Sequence, residues 1–179
     1  MPVLADVRCH ELLHYLCLHR SVVMAMIHLR FCREKGFQPW LVRTYTWYPF
    51  DHVELALPYG YLGARPIGGV QVRPLDYLKP ESELFATIDC PDNVQRRVLE
   101  FCKEQIGKPY DWTAIYGIVA HRDWQEPDKW ICSELIAAAF EAAEYPLLNG
   151  DNVNRFSPRD IAISPDVEFQ SCCATHAKP

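Results

Sequence analysis

Glycine is scarce in this chain, with 8 among 179 residues. Neither G-x-G-x-x-G nor a Walker sequence occurs, so the loops that cradle nucleotide phosphates are missing. There is no C-x-x-C pair, which removes the common zinc-binding spacings. Runs of Lys and Arg are also absent, and 18 basic against 23 acidic residues leave a net charge of -5. That mildly acidic balance argues against nucleic acid as the main partner. Long apolar runs are lacking too. The richest stretch, Leu12 to Leu29, is broken by His14, His19, Arg20 and His28. No stable membrane insertion is therefore expected, and no signal-peptide core is formed.

What is present is the composition of a folded chain. Hydrophobic residues make up 49% and charged residues 23%, outside the range of disordered sequences. The length suits one domain, and a compact chain of this size hides roughly 70% of its unfolded surface. Cysteine is frequent, with 8 residues: Cys9, Cys17, Cys32, Cys90, Cys102, Cys132, Cys172 and Cys173. Without a secretory signal, and with several of them in apolar helical or strand-like runs, reduced thiols in a cytoplasmic protein are expected. Cys9, His10, His14, Cys17 and His19 cluster near the start. They read as an amphipathic helix with scattered His and Cys, and no metal or cofactor is assigned.

Residues 1–23 differ from the rest and suggest an appended helix or an over-long start. A strand-like run follows from Ile27 to Cys32. After Lys35-Gly36, Trp40 to Trp47 fits either a short helix or extended chain. Asp51 to Leu57 alternates as a strand, Pro58-Tyr59-Gly60 is a turn, and Tyr61–Arg65 and Gly69–Leu75 continue a meander. Leu84 to Asp89 is rich in β-branched and aromatic residues, and Cys90-Pro91 is expected to end it. Apolar positions at Val94, Val98, Leu99, Phe101 and Cys102 predict a helix from Asp92 to about Ile106, closed by Gly107-Lys108-Pro109. Helices are also expected over Asp111–Val119 and Asp128–Ala143. Ser157-Pro158-Arg159-Asp160 has the form of a cap opening one helical turn. Val167–Phe169 is a candidate last strand, and residues 171–179 a loose tail.

Two segments carry the chemistry. In the Asp51–Leu57 strand, Val53, Leu55 and Leu57 share one face, and His52, Glu54 and Ala56 the other. Glu54 lies roughly 7 Å along the strand from His52. It either holds the imidazole in one tautomer or pairs with Arg65 across the hairpin. The second segment is Lys129 to Ile136. Cys132 falls near the first turn of its predicted helix, where free N–H groups and the helix dipole favour a thiolate. Its own N–H is a candidate oxyanion donor. The alternative is a buried thiol packing beside Ile136 and Phe140. A Cys and a His far apart in sequence can meet in the fold as nucleophile and base, in this case within roughly 3–5 Å.

Three motifs in order, Asp51-His52-Val53-Glu54-Leu55, Gly107-Lys108-Pro109-Tyr110-Asp111 and Trp130-Ile131-Cys132-Ser133-Glu134-Leu135, resemble the circularly permuted branch of the NlpC/P60 papain-like superfamily. The YiiX-type amidases and a group of small phage proteins belong to that branch. The likeness runs from about Met26 to Pro165 and implies a domain over residues 24–170. The implied fold is α+β, an antiparallel sheet carrying His52 packed against helices that include the one bearing Cys132. It also implies that Cys132 is the nucleophile, His52 the base and Tyr110 a substrate-binding residue. The chain departs from the pattern at one place. The family takes a third polar residue from the strand after the His strand, and here that strand reads Tyr61-Leu62-Gly63-Ala64-Arg65. Either Glu54 substitutes, or the site works as a dyad, or activity has been lost.

The resemblance implies a cysteine hydrolase that cleaves an amide in a cell-wall peptide or modified protein through an acyl-thioester. Its partner would be a peptide or acyl substrate. Acyl transfer of the lecithin:retinol acyltransferase type is the rival chemistry. A non-catalytic binding or virion-associated protein that keeps the fold is the third reading.

Overall fold

The computed structural model describes residues 23–113, 128–148 and 156–170. The expected helix over residues 1–22, the His/Cys cluster within it, most of the helix expected over Asp111–Val119, and the tail from Ser171 lie outside the described residues.

The described chain is α+β. Six strands form one antiparallel sheet in the order β4-β3-β2-β1-β5-β6. They are β1 (Met24–Arg33), β2 (His52–Leu57), β3 (Gly60–Arg65), β4 (Gly69–Arg73), β5 (Ser82–Pro91) and β6 (Glu168–Phe169). The helices are α1 (Phe37–Thr46), α2 (Asp92–Glu104), α3 (Cys132–Ala142) and α4 (Pro158–Ala162).

Strand β1 is the central element and pairs with β2 on one side and β5 on the other. It starts at Met24 rather than Ile27, because Met24 pairs with Pro91 and Ala25 with Cys90. For the same reason Cys90-Pro91 belongs to β5 and does not end it before that point. Proline is tolerated there because it is the last residue of the strand. The ambiguous segment after Gly36 is helical. It stops where Trp47 adopts a left-handed conformation, with φ of 51°.

Alternation along the strands sorts the side chains onto two faces. One face carries Ile27, Leu29 and Phe31 of β1, Val53 and Leu55 of β2, and Leu62 and Ala64 of β3, all buried. Val94 and Val98 of α2 and Leu135, Ile136, Ala139 and Phe140 of α3 join them in one apolar core. Fully burying a side chain of this kind contributes about 1.5–3 kcal/mol. Leu57, expected on this face, is only half-buried at the strand end. Ser157 caps α4 as the sequence suggests, its hydroxyl accepting from Asp160 N at 3.4 Å.

Candidate active site

The helix expected from Asp128 begins four residues later, at Cys132. The reason is a competing set of backbone bonds. Trp130 N donates to Pro109 O at 3.2 Å, and Asp111 N donates to Trp130 O at 3.1 Å. These bonds hold Lys129 and Trp130 extended against the Gly107–Asp111 motif. Ile131 is still extended, with φ of -93° and ψ of 165°, and its N–H donates to Glu134 Oε2 at 3.4 Å. Cys132 is therefore the first helical residue, where backbone N–H groups have no intrahelical acceptor.

The Gly107–Asp111 motif is in turn stitched to β4. Val70 N donates to Lys108 O and Gly107 N to Val70 O, both at 2.9 Å. Gly69 makes this approach possible: its φ is +62°, and a Cβ there would lie 2.1 Å from Lys108 O.

His52 opens β2. The residue before it is anchored, since Asp51 N donates to Cys32 O at 3.0 Å. The Asp51 carboxylate accepts from Glu34 N at 3.0 Å and from the Arg43 guanidinium. Helix α3 packs on β2 and β3. That packing sets the Cys132 thiol beside the His52 side chain and Val53 N–H, both of which lower its pKa. On its other side His52 Nε2 faces Glu54 Oε2 at 3.1 Å. With Nε2 so engaged, Nδ1 is the ring nitrogen left for the thiol.

Both members of the pair are buried, His52 at 5% and Cys132 at 4% exposure. Burial alone would raise the thiol, but the facing His52 charge and hydrogen bond, the Val53 N–H and Arg65 outweigh it and bring Cys132 below its ordinary value. Burial alone would likewise lower His52. The Cys132 thiolate, the hydrogen bond to it and the one to Glu54 instead push His52 up to about 9, against an opposing contribution from Arg65. Both shifts favour the thiolate–imidazolium form of the pair. The other described cysteines go the opposite way. Burial pushes Cys32 and Cys102 up to about 12, and Cys90 is also raised.

Glu54 is fully buried. Burial raises its carboxyl, yet hydrogen bonds and charges from His52, Arg65 and Tyr77 hold it down to about 2. Its two oxygens accept from His52, from Arg30 Nη1 at 3.2 Å, from Arg65 Nε at 3.3 Å, and from the Tyr77 hydroxyl at 3.0 and 2.8 Å. The two alternatives for Glu54 therefore coexist: it touches both His52 and Arg65. Its room comes from β3. Gly63 lies across from it, and a Cβ there would come within 2.9 Å of Glu54 Cβ. The strand that has no carboxylate or amide of its own thus makes space for a carboxylate from its neighbour.

Tyr110 is buried, and its ring meets Trp112 edge-on at 5.5 Å between centroids. Burial, with the Cys132 charge nearby, raises its hydroxyl well above the ordinary value. It lines two cavities, one reaching Cys132 and the other His52.

Arg30 and Tyr77 were not among the residues singled out in the sequence. Arg30 had a faint signal, a cation inside the apolar run of β1. Tyr77 had none, because it sits in the irregular segment between β4 and β5. Among the described residues, no group of three or more His, Cys, Asp or Glu is arranged to hold a metal ion. Among them, too, no helix is long and apolar enough to cross a membrane.

No family model and no curated protein sequence matches the chain. Among solved structures, the fold is similar to that of the metalloprotein yiiX from Escherichia coli O157:H7. The TM-score is 0.62 at 16% identity, covering 82% of this chain and 96% of that one. At that identity the likeness is one of fold alone.

Proposed function

We propose that this chain is a cysteine hydrolase of the permuted papain-like type that cleaves an amide bond. The observation that carries the reading is the chain of contacts Cys132–His52–Glu54, set at the N-terminus of α3. It is supported by the thiol shifting down while the described cysteines elsewhere shift up. Glu54 takes the place of the third polar residue that the permuted NlpC/P60 pattern draws from the next strand, and Gly63 leaves the space for it.

In this mechanism the Cys132 thiolate attacks the amide carbonyl carbon, forming the S–C bond. The developing oxyanion is met by the Cys132 N–H at the helix start. The His52 imidazolium gives its proton to the amide nitrogen as the C–N bond breaks, and the amine leaves. Water then attacks the thioester carbonyl, losing a proton to His52; the C–S bond breaks, which releases the carboxylic acid and restores the Cys132 thiolate and His52 imidazolium. Glu54 holds the imidazole in the tautomer that keeps Nδ1 towards sulfur, and it stabilises the charged ring. Tyr110 contacts the substrate beside the attacked carbonyl.

The test is iodoacetamide labelling of the full chain against pH, read peptide by peptide. At pH 7 an ordinary thiol near pKa 8.5 is only a few per cent thiolate. Cys132 is expected to label about tenfold faster than such a thiol, and His52→Ala to remove that advantage. Equal rates in both proteins would leave a non-catalytic binding role as the better account.

A further inference from the structure

Two cavities meet at the Cys132–His52 pair, sharing Val42 of α1, Asp51 and Tyr110 in their walls. Their chemistry differs. The cavity that reaches Cys132 contains several polar residues, but those residues bond elsewhere. Thr46 Oγ1 donates to Val42 O at 2.8 Å. Ser133 Oγ donates to Phe156 O, and Ser157 Oγ bonds Asp160 Oδ2 at 2.6 Å. Asp51 is held by Glu34 N and Arg43. The wall left towards the space is mostly carbon, from Val42, Ile131 and Pro158, and Tyr45 and Tyr110 complete the lining. The cavity itself measures about 30 Å³, room for about two water-sized groups.

The cavity that reaches His52 is polar. Glu34, Gln38 and Arg65 line it. Among the described residues, Arg65 Nη2 is the one buried side-chain nitrogen or oxygen without a hydrogen-bond partner.

Reaction chemistry decides which half of a substrate goes where. His52 must give its proton to the leaving nitrogen, so the amine half departs on the His52 side. The acyl half stays bonded to Cys132 Sγ and occupies the other cavity. Resting on the hydrolase reading above, we infer that the acyl half of the substrate presents a small apolar side chain to this cavity, of the size of that of alanine or valine. A charged acyl residue would lose its hydration against a mostly carbon wall whose Thr46, Ser133, Ser157 and Asp51 side chains are already paired. A large one would exceed the space.

The test uses chloromethyl ketones of N-acetyl-Ala, -Val, -Phe, -Asp and -Lys. Each places its residue in the acyl position and alkylates sulfur without needing a leaving amine. Cys132 labelling is measured on the full chain by peptide mapping, each rate divided by that for iodoacetamide. The Ala and Val reagents are expected to exceed the Phe, Asp and Lys reagents at least tenfold. Val42→Ala, which widens the cavity, is expected to raise Phe relative to Ala. Equal normalised rates, or a preference for Asp, Lys or Phe in the unsubstituted chain, would overturn the acyl-half assignment while leaving the nucleophile in place. A Cys132 that labels no faster with iodoacetamide than other thiols would overturn the hydrolase reading and this inference with it.

Discussion

The apolar face of the central sheet and the part of its opposite face around β2 are both buried, yet they are built on opposite principles. One is an apolar surface on which α2 and α3 pack. The other carries Arg30 at 3%, Glu54 at 0% and His52 at 5% exposure, with Arg65 beside them. Burying apolar carbon stabilises through area removed from water and is indifferent to small displacements. Burying charges costs several kcal/mol per ion before their attraction offsets it, and well-packed apolar replacements are often at least as stable. The charged face is therefore a poor way to hold a sheet together. It is a good way to fix one imidazole, because each ion is restrained by directional bonds from several strands. The apolar face positions α3 and hence Cys132, and the charged face positions His52.

Breaking each face should therefore give large but different losses. Glu54→Ala leaves Arg30 and Arg65 buried without their shared counter-charge and is expected to cost about 3–5 kcal/mol in urea unfolding. Phe140→Ala, on the apolar face, is expected to cost a similar 3–5 kcal/mol or so through the cavity it leaves. The two separate in the pH profile of Cys132 labelling. That profile should change with Glu54→Ala and stay as it is with Phe140→Ala, wherever the variants remain folded. Identical profiles would dissolve the distinction between the faces.

Stability against pH sharpens the comparison at the next level. Glu54 lies below its ordinary 4.5, at about 2, so its contribution is complete above pH 4.5 and is lost as pH falls towards 2. His52 lies above its ordinary 6.5, at about 9, so its contribution is complete below pH 6.5 and is lost as pH rises through 9. Tyr77→Phe removes the hydroxyl that Glu54 accepts from. It is expected to cost about 1.5–3 kcal/mol, as a hydrogen bond to a charged group. It should also start the acid limb at a higher pH, measured as the unfolding midpoint across pH 2 to 5. An acid limb unmoved by Tyr77→Phe would mean that the arginines and His52 alone hold the carboxylate.

The smallest effect is expected at the end of β1. Arg33 pairs with Glu81 at 3.2 Å, but its side chain is 45% exposed. Arg33→Ala should change stability by no more than about 1 kcal/mol. A larger loss would show the segment before β5 depending on that pair.

Much of the local structure was legible because it is written in short-range periods. The alternation of His52 to Leu57 placed His52 and Glu54 on one face before any partner was known. The apolar spacing of Val94, Val98 and Cys102 located α2 with an error of two residues at its end, and Ser157-Pro158 located α4. The start of α3 was misread for a reason no local pattern contains: Trp130 bonds to Pro109 and Asp111, residues brought from another part of the chain. Arg30 and Tyr77 were missed on the same ground. Arg30 reaches Glu54 across 24 positions and Tyr77 across 23.

Residue order alone thus determined which side chains had the right chemistry: a thiol near a helix start, and an imidazole with a carboxylate two residues on. Tertiary structure alone decided what they do to one another. Packing of α3 on β2 and β3 brings sulfur to His52, and side chains from three strands and the segment between β4 and β5 converge on Glu54. Periodicity reports which face of its own element a side chain occupies. The field at a buried site is a sum over neighbours from every strand and loop packed there, so whether Glu54 stays ionised and whether Cys132 moves down rather than up follow only from the assembled fold.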